Sequence, residues 1–123
     1  MGNGFKNLKV WQESKRLAVD VYLLTEASGL AKDFGLRDQI CRAAVSVPSN
    51  IAEGDERDTD KDSVRFFYMA KGSLAELRTQ LEIASEIGLI TQVQFATLET
   101  DCLRIGKMLG ALIKVRHPIA PRL

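Results

Sequence analysis

Between Phe67 and Ala84 the apolar residues Phe67, Ala70, Leu74, Leu77, Leu81 and Ala84 recur at spacings of three and four. That is the repeat of one helix face held as a heptad seam, and a strand with its period of two cannot present it on one side. The seam predicts a helix from about Asp60 to Ile87, opened by Thr59 with Asp62 three residues on and closed by Gly88. A helix with one apolar seam must bury it, so the rest of the chain has to supply the partners.

Three further segments carry the same period. A helix is expected from about Asn7 to Ser28, with Val10, Ser14, Leu17, Val21 and Leu24 on one stripe and Gly29 as its C-terminal cap. This helix is apolar on more than one side, because Val19 and Leu23 fall away from the main stripe. A second partner, such as another copy of the chain, would use that surplus. The next helix is expected from about Leu36 to Glu53, stopping at Gly54, with Ile40, Ala43, Ala44, Val47 and Ile51 inward. Pro48 predicts a kink or a split near Val47, since its ring removes a backbone donor and crowds the preceding turn. The last helix, residues 91–116, opens with a capping box at Thr91 and Gln94 and a staple of Ile90 on Phe95. Its seam is Phe95, Leu98, Cys102, Ile105, Leu109 and Leu112, and a Pro-containing tail with His117, Pro118 and Pro121 follows. Long helices with short connections pack antiparallel. The expected fold is therefore all-α, a single antiparallel up-down-up-down four-helix bundle over residues 1–123.

Composition excludes several function classes. No apolar run approaches the roughly 18 residues of a membrane span, so no membrane partner is expected. The two cysteines, Cys41 and Cys102, lie in apolar helical patterns without Cys-x-x-Cys spacing, and read as reduced core residues of a cytoplasmic protein. With one histidine, His117, the chain cannot build a carboxylate–histidine di-metal bundle or a histidine-based triad. Neither phosphate-binding glycine motif occurs. The expectation is a protein that is not an enzyme and holds no metal or cofactor.

Two sets of residues remain as candidates for function. The second helix carries a polar stripe of Arg42, Ser46, Asn50 and Glu53 and the third one of Ser73, Glu76 and Gln80, which form a layer if the two stripes face each other. A buried polar layer of this kind sets helix register, because a slip strands its polar groups; a ligand site or a solvated face would draw on the same residues. The basic residues Lys9, Lys15, Arg16, Lys107, Lys114 and Arg116 near the two termini are the candidates for nucleic-acid contact. Net charge is only +1, so such a patch would be local or multiplied by oligomerisation. Gly72, Gly106 and Gly110 inside helices suggest close approach by another helix.

The stretch Gln39-Ile-Cys-Arg-Ala-Ala-Val-Ser-Val-Pro-Ser-Asn-Ile-Ala-Glu-Gly54 resembles the signature helix of the bundle proteins first noticed as reading frames in intervening sequences of bacterial 23S ribosomal RNA genes. Ala70 to Leu81 is similar to that family's second signature, Phe5 to Trp11 to its opening, and Lys107 to Ile113 to its last helix. The resemblance implies a small cytosolic protein that assembles as a ring-like homo-oligomer, a pentamer. The same bundle serves as an accessory protein of diversity-generating retroelements, which partners a reverse transcriptase and binds nucleic acid. The resemblance thus implies three partners: further copies of this chain, RNA or DNA, and another protein. It carries over no catalytic residues. The net charge of +1 departs from the strongly basic accessory proteins.

Overall fold

The structure, a computed structural model, describes residues 4–116. Four helices carry the fold: α1 (Lys9–Glu26), α2 (Phe34–Asp55), α3 (Asp60–Glu86) and α4 (Gln92–Arg116). Single 3-10 turns occupy Gly4–Asn7 and Gly29–Lys32. Among the described residues there is no strand. The tail from His117 onward, with its proline breaks, lies outside the described residues.

Each α-helix packs on its two neighbours in an antiparallel bundle, with α1 against α2 and α4, and α3 against α2 and α4. The core is the set of seams read from the period: Leu17 and Val21 of α1, Ile40, Val47 and Ile51 of α2, Phe67, Leu77 and Leu81 of α3, Ile105 and Leu109 of α4. Burying one such side chain is worth about 1.5–3 kcal/mol, so these seams supply the driving force. Both cysteines are buried and unbridged.

Helix ends follow local chemistry. Thr59 Oγ1 accepts from the Asp62 amide at 3.2 Å and starts α3. Before α4, the Gln94 amide donates to Thr91 Oγ1 at 3.1 Å and the Thr91 amide donates to Gln94 Oε1 at 2.8 Å, which is the reciprocal capping box. Gly88 has φ +82, and the amides of Gly88 and Leu89 donate to the carbonyls of Ser85 and Ala84. That is a Schellman end, which needs a left-handed residue.

Three expectations about helix breakers change. Helix α2 runs unbroken through Pro48, so there is no split. The ring costs the Ala44 carbonyl its usual donor, but the surrounding packing holds the helix. Gly29 does not cap α1, which ends at Glu26. Instead its amide donates to the Leu89 carbonyl at 3.0 Å, where the two interhelix connections touch. Gly54 is buried inside α2 rather than ending it. A Cβ at Gly54 would lie 2.6 Å from Cε1 of Phe67 and 2.9 Å from the Ser63 carbonyl oxygen. Glycine there lets α2 and α3, the most closely packed pair, approach each other.

The other helical glycines have different surroundings. A Cβ at Gly106 would make ordinary contact with Leu74 at 3.6 Å, whereas at Gly72 and Gly110 it would meet nothing within 4 Å. Close approach inside the chain therefore does not explain Gly72 or Gly110.

Candidate interaction surfaces

The polar stripes of α2 and α3 meet at one point. Ser46 Oγ and Ser73 Oγ share a hydrogen bond of 2.8 Å, and Asn50 Nδ2 donates to Ser46 Oγ at 3.0 Å and to the Ser46 carbonyl at 2.9 Å. Ser73 is buried, while Ser46 and Asn50 are half-buried. These three residues form a small cross-helix network.

The charged members of the stripe do not join it. Arg42, Glu53 and Glu76 are exposed, so the expected buried charge layer shrinks to its neutral centre. Glu53 pairs along its own helix with Arg57. Arg42 and Glu76 make no ion pair among the described residues, although both line one groove with Asp38, Gln39, Ser46 and Gln80. The physical reason is desolvation: two charges on the outer edges of tightly packed helices stay in water rather than enter the seam. Gln80 Oε1 is the exception, a buried acceptor with no donor among the described residues.

The basic candidates divide in two. Lys9, Lys15, Arg16, Lys107 and Lys114 are exposed. Lys15 lies with its ammonium 5.2 Å from the centre of the Trp11 ring. Arg116 is engaged: its guanidinium donates to Asp55 at 2.7 Å and sits over Phe67. Glu13 and Arg104 pair across α1 and α4 at 2.8 Å. One helical turn beyond that pair, in the common direction of these antiparallel helices, lie Lys9 and Lys107.

Sequence reasoning missed the ion pairs that tie α4 to the other helices. Arg78 of α3 holds Glu99 through two hydrogen bonds of 3.0 and 2.7 Å. The hydrogen bond lowers the Glu99 carboxyl below its ordinary value and raises the Arg78 guanidinium. Glu13–Arg104 and Asp55–Arg116 complete the set. No local pattern could have disclosed them, because the partners are 21, 91 and 61 residues apart. Beside Glu99, burial pushes the Cys102 thiol up to about 12, so it stays protonated and inert at neutral pH.

Apolar side chains also remain outside. Val19 and Leu23 of α1 are 52% and 60% exposed, on the side opposite its core-facing residues. On α3, Met69, Ile83 and Ile87 are exposed. Among the described residues no helix is long and apolar enough to cross a membrane, and no three His, Cys, Asp or Glu side chains converge as a metal site would require.

No curated protein matches the chain. A solved structure from Bacteroides thetaiotaomicron, a protein of unknown function from the S23 ribosomal protein family, superposes with a TM-score of 0.78. It is 26% identical, and the match covers 85% of this chain and 98% of that one. The family model for the 23S rRNA-intervening sequence protein matches residues 6–111. With nearly the whole bundle inside that match, this chain belongs to the 23S rRNA-intervening sequence protein family.

Proposed function

We propose that this chain is a self-assembling helical module, a cytoplasmic scaffold rather than an enzyme. The observation that carries the reading is the outward strip of α1, where Val19 and Leu23 stand in solvent opposite the core-facing side. A bundle complete in itself needs one apolar face per helix, and α1 carries a further apolar pair on its outer side. The polar centre supports a structural role, since Ser46, Ser73 and Asn50 spend their hydrogen bonds on one another. The family resemblance makes a ring of five copies the assembly to expect. Light scattering on the purified protein should give a mass several times 13.6 kDa. A mass of one copy at every concentration would overturn the reading.

A second reading is favoured by one observation: Lys9 and Lys107 stand at the same height on neighbouring helices, both exposed. Repeated around an assembly, that pair makes a basic track suited to the phosphates of structured RNA. A ribosomal RNA fragment should then be retarded in a gel at low salt and released as salt rises. Lys9→Glu with Lys107→Glu should remove the shift. Absence of retardation at low salt would discard RNA and leave a module whose partners are proteins.

A further inference from the structure

Charge is divided along the bundle although the net charge is only +1. Among the described residues, the half that carries the α1–α2 and α3–α4 connections, residues 18–44 and 74–104, holds nine acidic and five basic side chains. The other half, residues 4–17, 45–73 and 105–116, holds seven acidic and eleven basic ones. The acidic half therefore repels polyanions such as RNA and attracts cations.

Within that half, one surface joins negative charge to exposed apolar area. Near the end of α3, Thr79, Glu82, Ile83, Glu86 and Ile87 line a shallow groove of about 290 Å³. Ile83 and Ile87, one turn apart, are 46% and 60% exposed. Glu82 and Glu86, also one turn apart, are exposed and make no ion pair among the described residues. The single base on residues 74–87 is Arg78, and its guanidinium is committed to Glu99. Arg42 of α2 shares a groove with Glu76, not with Glu82 and Glu86.

The two carboxylates work against the helix that carries them. Like charges at i and i+4 repel, and the C-terminal end of a helix favours cations, yet the last turn of α3 has no basic residue. Such an arrangement, uncompensated inside the chain, suits a cation supplied from outside.

We propose that this end of α3 is the docking site for a basic amphipathic helix of another protein. The partner's apolar stripe lies on Ile83 and Ile87. Its lysine or arginine side chains, one turn apart, reach Glu82 and Glu86 on one flank, so two cations at helical spacing meet two anions at the same spacing. Docking relieves the repulsion between the carboxylates. It does not depend on the self-assembly proposed above.

The probe is a labelled synthetic helix of leucine and lysine, its leucines at spacings of three and four, titrated with the full chain and followed by fluorescence anisotropy. Binding is expected at low salt and weakens as salt rises. The same peptide with glutamate for lysine should not bind. Glu82→Gln with Glu86→Gln should weaken binding about fivefold and raise the thermal midpoint of the free protein, because the repulsion is gone. Ile83→Ser with Ile87→Ser should weaken binding about tenfold. Circular dichroism checks that both variants remain folded. Full affinity in either double variant overturns the proposal. So does weakened binding of the glutamine variant without the rise in midpoint, since the carboxylates would then serve the fold. A peptide of residues 9–26 tests a second copy of the chain as the occupant. If it binds this face as tightly as the lysine peptide, the surface is an interface between copies and the proposal fails.

Discussion

Gly54 illustrates how one missing methyl group sets the distance between two helices. Its neighbours are the edge of the Phe67 ring and the backbone of Ser63, neither of which is the free end of a flexible chain. Adding a Cβ must push α2 from α3 or force Phe67 out of its place. Overpacking of that kind costs about 1–3 kcal/mol. Gly54→Ala should therefore lower stability by about that amount in urea unfolding, although alanine is the better helix former. Gly110→Ala is the matching control. With nothing within 4 Å of its added methyl, it should stabilise by about 0.5–1 kcal/mol. Equal effects of the two substitutions would contradict this account of Gly54. A sequence shows that a glycine ends or interrupts a periodic run, but not which of those it does. At Gly88 the left-handed turn was legible from position alone; at Gly29 and Gly54 the reason is a neighbour from a distant part of the chain.

At the scale of the element, boundaries written in local chemistry were the legible ones. The capping box at Thr91 and Gln94 uses two side chains and two amides within four residues, so the sequence contains the whole interaction. Thr91→Ala removes one acceptor and leaves the Gln94 amide to water. It should cost about 1 kcal/mol, seen as a lower urea midpoint with an unchanged slope. A change below a few tenths would mean that the packing of Ile90 and Phe95 fixes this end of α4. Pro48 marks the limit of such reading. Its local penalty is real, but α2 is clamped against α3 by the buried residues on both sides of it, and the tertiary contacts override the break. The expected buried charge layer failed for a related reason. Periodicity placed Arg42 and Glu76 on facing stripes, yet it does not resolve a helix's inner edge from its outer edge, and long charged side chains take the outer one.

At the scale of the whole molecule, the bundle followed from four seams and three short connections, because few other arrangements bury four such stripes. What the period could not disclose is which charges hold α4 in place. Arg78–Glu99, Glu13–Arg104 and Asp55–Arg116 each join it to a different helix, and each depends on a distant partner. The outward strip of α1 was legible in the sequence, as apolar residues in excess of one face. The α3 seam was visible as a line with apolar ends and a polar middle, and its ends proved to be surface once burial was known. The Gly29 amide bound to the Leu89 carbonyl acts as a latch at one end of the bundle: the α1–α2 and α3–α4 connections cannot part there until that bond breaks.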